Sequence, residues 1–113
     1  MTDDRLPTGL WVDAQLRHLT ETGTPYYVVN KGAYASGTVI LKLNALEKGV
    51  QVLSQQRDLQ GQMGWMPVLN GGWVAESEAD AYIRRAVDRD PDVWVIEIED
   101  RSQINPFEGK LIS

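Results

Sequence analysis

The chain has 113 residues, of which 42% are hydrophobic, and a formal net charge of −5. It contains no cysteine and a single histidine, so disulfides, thiolate metal sites and multi-histidine metal sites within one chain are excluded. The negative charge argues against binding to nucleic acids or anionic membranes, because both depend on clustered basic residues.

The first half of the chain predicts one helix followed by three strands. Thr8 is a candidate N-cap for a helix that runs from Gly9 to Thr22, and Gly23 is placed to end it. Aromatic and β-branched composition predicts strands over residues 26–30, 38–45 and 50–56. The last two strands are joined by a connection of hairpin length. The polar, glycine-containing residues 57–64 predict a mobile loop.

The second half predicts a short strand, a helix and a final strand. Residues 65–69 could form a strand, which Pro67 would confine to an edge of the sheet. Ser77 and Asp80 resemble a capping box for a helix that ends before Pro91. The strand over residues 93–99 is apolar on both faces at its start and polar on one face at its end. Because short turns join successive strands, we expect an α+β fold with a small antiparallel sheet of about four to five strands packed against two helices.

The organisation of the chain predicts a single domain over residues 1–113, with residues 1–7 and 102–113 as flexible tails. After Asp100 the periodicity is lost, and Ile104 and Phe107 are the residues through which the tail could instead fold back. The N-terminus has neither the basic start nor the apolar run of a secretory signal, which predicts a cytoplasmic location.

Acidic residues continue from the second helix onto the last strand. Glu97 and Glu99 share one strand face about 7 Å apart, a separation that suits a divalent cation or a general acid/base pair. Asp92, Glu97 and Glu99 are therefore the candidate metal ligands, and solvated surface charges are the alternative. A calcium loop is excluded because Pro91 and Val93 lie where the loop would run. A nuclease-like motif is disfavoured because its lysine is absent after Glu99.

Tryptophan is abundant in this short chain, with four residues. Trp11 and Trp94 fit the hydrophobic core. Trp65 and Trp73 flank Met-Pro and Gly-Gly segments, so they are candidates for a partner-binding surface or a ligand groove. His18 fits a surface position, and the glycine-rich turns match no nucleotide-binding motif. No cofactor is predicted.

Two segments give the chain a family resemblance. The run from Asp90 to Arg101 and the helical segment Leu10 to Arg17 resemble a group of short bacterial proteins, catalogued as domain of unknown function number one-four-nine-one. The resemblance covers most of the chain. It implies a small cytoplasmic α+β domain and carries over no catalytic residues.

These observations favour a non-catalytic protein-interaction or self-associating module, with a homodimer as one form. The surplus of tryptophan and tyrosine without an assembled catalytic set supports this interpretation. The alternative is a divalent-metal-binding protein or metal-dependent hydrolase that uses the Glu97 and Glu99 strand face.

Overall fold

The computed structural model describes residues 6–112, and the predictions for residues 1–5 and 113 lie outside this range. The helices are α1 (Thr8–Thr22) and α2 (Glu76–Arg89). The strands are β1 (Tyr26–Asn30), β2 (Val39–Asn44), β3 (Val50–Arg57), β4 (Met63–Pro67), β5 (Trp94–Glu99) and β6 (Lys110–Leu111). Neither helix of this range is long and apolar enough to cross a membrane.

The strands of this range form one six-stranded mixed sheet in the order β1-β5-β2-β3-β4-β6. The α+β class and the two helices are confirmed, but the small antiparallel sheet of four to five strands is wrong. Strand β5 runs parallel to β2, and β6 runs parallel to β4. Parallel neighbours need a long crossover connection rather than a short turn. Helix α2 lies on the connection that leads back to β5.

The loop between β1 and β2 passes the start of β5 instead of making a hairpin. The Ala33 amide donates to the Asp92 carbonyl at 2.9 Å, and the Trp94 Nε1 donates to the Ala33 carbonyl at 2.9 Å. Gly32 lies so close that an added Cβ would overlap the Asp92 carbonyl oxygen. The loop is therefore fixed across the start of β5, and β5 lies between β1 and β2 with β1 at the sheet edge.

Each face of the sheet carries its own hydrophobic cluster. Alternate residues of β2 and β5 point to opposite faces, as the pleat of a strand requires. The α1 side contains Val12, Leu16, Leu19, Val39, Leu41, Leu43, Leu53, Trp65, Trp94, Ile96, Ile98 and Phe107. The α2 side contains Ile40, Val50, Val52, Ala79, Ile83, Ala86, Val93 and Val95. The sheet is thus covered by one helix on each face.

Both helices begin without the side-chain caps that the sequence predicts. Helix α1 begins at Thr8 itself, and the carbonyl of Tyr34 accepts the Gly9 amide at 2.7 Å. Helix α2 begins at Glu76, and neither helix has a side-chain capping bond. The carboxylate of Asp80 binds a lysine of the sheet, so it is not part of a capping box with Ser77.

The β3–β4 connection is shorter than the predicted loop over residues 57–64. The side chain of Asp58 accepts the amides of Gln60 and Gln62, each at 2.9 Å, and forms an ion pair with Lys110 of β6. The hydrogen bond from Lys110, followed by the backbone amides, holds the pKa of Asp58 below its usual range. Strand β6 pairs with β4 at Gly64 and Trp65, so β4 is an interior strand there. Pro67 lies beyond the paired residues.

The C-terminal segment folds back onto the domain through Phe107. Its ring is buried and contacts Trp11 and Trp65 edge-on, with centroid distances of 5.7 and 6.1 Å. Ile104, the other candidate for this return, is exposed. Phe107 therefore connects the end of the chain to the α1 side of the core.

Replacing Gly32 by Ala tests the crossing of β5 by the loop. The added methyl group overlaps the Asp92 carbonyl, so we expect a loss of about 2 kcal/mol in unfolding free energy, measured by urea denaturation. Gly72→Ala is the matched control, because a Cβ there has no neighbour within 4 Å. It should change stability by less than about 0.5 kcal/mol. Equal effects of the two substitutions would contradict the crossing.

Candidate functional site: a lysine–carboxylate cluster and an exposed sheet edge

Lys42 is a buried charged residue in the middle of β2, with only 4% of its surface exposed. Its Nζ donates to Asp80 Oδ1 at 2.7 Å and to Glu76 Oε2 at 2.8 Å. The Glu97 carboxylate lies 3.4 Å from the same nitrogen. We call Lys42, Asn44, Glu76, Asp80 and Glu97 the lysine cluster. It joins α2 to two neighbouring strands of the sheet.

The spacing of residues on α2 and the register of β2 with β5 bring these side chains together. Glu76 and Asp80 are one turn apart on α2, so both face the sheet from the same side of the helix. Glu97 is the parallel register partner of Lys42. Asn44, two residues along on the same face of β2, donates to Glu97 Oε2 at 2.9 Å. Three carboxylates therefore surround one ammonium group.

The protonation of Lys42 is set by opposing effects. Burial alone lowers the pKa of a lysine. Hydrogen bonds to Asp80 and Glu76, with the charge of Glu97, outweigh burial and raise the pKa of Lys42 above its ordinary value. The ammonium form is thus held, which makes Lys42 a structural cation rather than a proton acceptor at neutral pH.

Glu97 and Glu99 line an open groove of about 620 Å³ beside the lysine cluster. Glu76 and Glu47 also line it. Glu47 is itself paired with Arg101 at 2.9 Å, and its own backbone amide, followed by Arg101, lowers its pKa. The strand face predicted for metal binding does border a groove, but Glu97 has only 15% of its side chain exposed.

The third metal candidate, Asp92, lies away from this groove. It precedes the start of β5, where its carbonyl accepts the Ala33 amide. Glu97 and Glu99 are near the other end of the same strand. Within residues 6–112, no group of three or more His, Cys, Asp or Glu side chains is arranged to hold a metal ion. The structure therefore brings Glu97 and Glu99 together without Asp92.

Trp65 and Trp73 do not form a shared surface. Trp65 is 1% exposed, stacks on Trp11 at a centroid distance of 6.3 Å and donates its Nε1 to the Glu108 carbonyl at 2.9 Å. It forms part of the wall of an open cleft of about 810 Å³. Trp73 is half-buried against the α1-side core and is not part of that cleft. A binding role for either residue stays a prediction.

Strand β1 exposes apolar side chains at the edge of the sheet. Tyr27, Val28 and Val29 are consecutive and are 54%, 44% and 49% exposed. Among residues 6–112, β5 is the single strand that pairs with β1, so within this range the other side of β1 is open. We call the residues Tyr26–Asn30 with this open side the β1 edge.

Hydrogen bonding determines which backbone groups of β1 point outward. The Glu99 amide donates to the Pro25 carbonyl at 3.1 Å, so the carbonyl of Pro25 points toward β5. In an antiparallel pair, residues two apart bond on the same side. The amide and carbonyl of Tyr27, the partner of Glu97, therefore point toward β5. The amides and carbonyls of Tyr26 and Val28 point away from the sheet.

Sequence reasoning found neither Lys42 nor the β1 edge as functional candidates. In a strand where apolar and polar residues alternate, a lysine is expected to face solvent. A signal for its burial was present in α2, where Glu76 and Asp80 continue the core stripe formed by Ala79 and Ile83. The exposure of β1 had no comparable local signal, because it depends on the order of strands in the sheet.

Comparisons with known proteins identify relatives of the same fold. The family model "Protein of unknown function (DUF1491)" matches residues 6–108. A crystal structure of a DUF1491 family protein from Caulobacter crescentus CB15 has a TM-score of 0.84 and 31% identity, covering 95% of this chain and 99% of that one. An NMR structure of a DUF1491 family protein from the same organism has a TM-score of 0.81 and 32% identity, covering 96% and 98%.

A more distant likeness concerns the fold alone. The solution structure of protein Atu0922 from A. tumefaciens has a TM-score of 0.73 and 22% identity, with 91% of this chain and 92% of that chain covered. No curated protein matches the sequence. The comparisons therefore give a family and a fold without a biochemical activity.

Replacing Lys42 by Met tests the lysine cluster. The substitution keeps the length of the side chain but leaves three carboxylates without their cation. We expect a loss of about 3 kcal/mol in unfolding free energy, measured in urea. Lys48→Met is the control, because Lys48 is exposed, and it should cost less than about 0.5 kcal/mol. A small effect at Lys42 would contradict the structural role of its charge.

The same variant yields a pH dependence. Because the pKa of Lys42 is above its ordinary value of 10.5, the native state retains a proton that the unfolded chain releases near that pH. The stabilisation is fully present below this pH and is lost as pH rises through the native pKa. The difference in unfolding free energy between wild type and Lys42→Met should stay constant from about pH 7 to about pH 10 and shrink above it. A difference that grows above this range would contradict the assignment.

Proposed function

The chain belongs to the DUF1491 family of proteins of unknown function, and we propose from its own geometry that it is a non-catalytic protein-interaction module. The proposed contact is the β1 edge, where an extended segment of a partner protein adds to the sheet as a further strand. The observation that carries this proposal is the run of three exposed apolar residues on an edge strand with outward backbone groups.

Two physical arguments support the choice of β1. An edge strand presents unpaired amides and carbonyls, and natural proteins usually protect such edges with charges, prolines or very short strands. Strand β6, at the opposite edge, is only two residues long and carries Lys110. Strand β1 has five residues and no charged or proline residue. It is therefore the edge suited to strand addition.

The metal-dependent alternative has less support from the geometry. Glu97 already accepts a hydrogen bond from Asn44 and forms an ion pair with Lys42, and Asp92 lies near the other end of β5. A cation at Glu97 would compete with a buried ammonium group that is held by three carboxylates. The groove at Glu97 and Glu99 is better explained as the outer side of a structural cluster. The cytoplasmic location that we also propose rests on composition.

A short peptide tests strand addition directly. We propose titrating ¹⁵N-labelled protein at about 20 µM with a blocked hexapeptide of alternating threonine and valine, because the contact uses backbone groups. Saturating shift changes are expected at the amides of Tyr26 and Val28 and in β5, with a dissociation constant on the order of 1 mM. Changes at β6 alone, or none up to about 10 mM peptide, would contradict the proposal.

Matched variants identify the backbone contact. Val28→Pro removes an amide that points away from β5, so the sheet itself keeps its hydrogen bonds. It should abolish the shift changes, whereas Val28→Thr keeps the amide and should preserve them. Circular dichroism, and unchanged amide NMR signals from residues of the α1-side cluster, verify that both variants fold.

A further inference from the structure

We infer that the partner of the β1 edge is a second copy of this chain, paired with it antiparallel around a two-fold axis at Tyr27. This inference rests on the proposed function and names its partner. Each copy supplies the same strand, so the resulting interface is isologous and closed. The two sheets become one continuous sheet through the paired β1 strands.

The outward backbone groups fit this register. With Tyr27 opposite the partner's Tyr27, Tyr26 lies opposite the partner's Val28 and Val28 opposite the partner's Tyr26. Tyr26 and Val28 are the residues whose amides and carbonyls point away from β5. Each of these two antiparallel pairs exchanges two N–H···O bonds, which gives four bonds in all. A shift of the pairing by one residue would place backbone groups that point toward β5 in one copy opposite groups that point away from β5 in the other.

The side chains at the axis are also self-complementary. Tyr27 occupies a position where the pair makes no hydrogen bond with the partner, so the two Tyr27 side chains come closest there. Aromatic pairs across such positions are favourable. On the other face, Val28 lies opposite the partner's Tyr26, which is a β-branched and aromatic pair. Side chains that are exposed in the single chain thus find apolar neighbours.

Charge does not oppose the approach of two identical acidic chains along this edge. The chain carries a net charge of −5, but Tyr26–Asn30 contains no charged residue. The strand that forms the contact is therefore free of like-charge repulsion.

The size of the interface sets the expected affinity. Five residues and their side chains form a contact below the standard size of stable complexes. A β-bulge between Val28 and Asn30 also ends the regular pairing. We therefore expect a dissociation constant on the order of 10 to 100 µM, so that dimer and monomer exchange with concentration.

Sedimentation velocity from about 1 µM to about 1 mM measures this equilibrium. Wild type and Val28→Thr should shift from monomer to dimer over this range. Val28→Pro should remain monomeric up to the highest concentration, because it lacks the outward amide. A protein that stays monomeric throughout, or a dimer that Val28→Pro leaves unchanged, would overturn the inference.

A charge exchange at Tyr27 tests the two-fold axis itself. At this axis each residue meets its own copy, so Tyr27→Lys alone and Tyr27→Glu alone should each weaken dimerisation by roughly tenfold or more. An equimolar mixture of the two variants should dimerise again. Failure of the mixture to recover, when both variants are folded, would overturn the axis at Tyr27.

The outcomes separate the inference from the proposed function. If the chain is monomeric but the threonine–valine peptide binds at β1, the second copy is wrong as the partner and the interaction module stands. If the peptide also fails to bind, both are wrong. If the chain dimerises through β1 and the charge exchange works, both are supported.

Discussion

One buried ammonium group determines how the second helix lies on the sheet. Lys42 contacts Glu76 and Asp80 of α2 and Glu97 of β5. A buried charge without partners costs several kcal/mol, so the three carboxylates have to be held around it. This requirement explains why Asp80, which binds Lys42, is not available for capping. It also explains why Glu97, which looks like a site residue in the sequence, has a structural partner.

The position of α2 in turn determines which strand remains exposed. The chain leaves β4, passes through α2 and returns as β5 between β1 and β2. Every residue of β2 is buried, whereas β1 pairs with β5 on one side and has no strand of residues 6–112 on the other. A β1–β2 hairpin would have given a different edge. The exposed surface of Tyr27, Val28 and Val29 is thus a consequence of the crossover through α2.

Local patterns predicted the elements well but not their arrangement. The periodicity after Ser77 and the alternation over 93–99 predicted both elements, with Tyr82, Ile83, Trp94, Ile96 and Ile98 as core residues. All of these are buried except Tyr82, which is half-buried against the α2-side cluster. Strand order could not be predicted in this way, because it depends on contacts between residues distant in sequence. Lys42 was missed because the alternation of a strand is the same whether a polar side chain meets water or a buried carboxylate. The two-residue strand β6 is too short to have a periodicity.

The same structural limits explain why association at β1 would stop at two copies. Within residues 6–112 the opposite edge is the short β6, which carries Lys110 and is a poor template for pairing. At the far end of β1, the side chain of Asn30 donates to the carbonyls of Pro91 and Val93, at 3.2 and 2.7 Å. These bonds anchor the bulge and limit the length of regular strand. Two-fold pairing uses β1, the one long open edge within residues 6–112 of each copy. A third copy would then find only β6, so a closed dimer is favoured over an extended assembly.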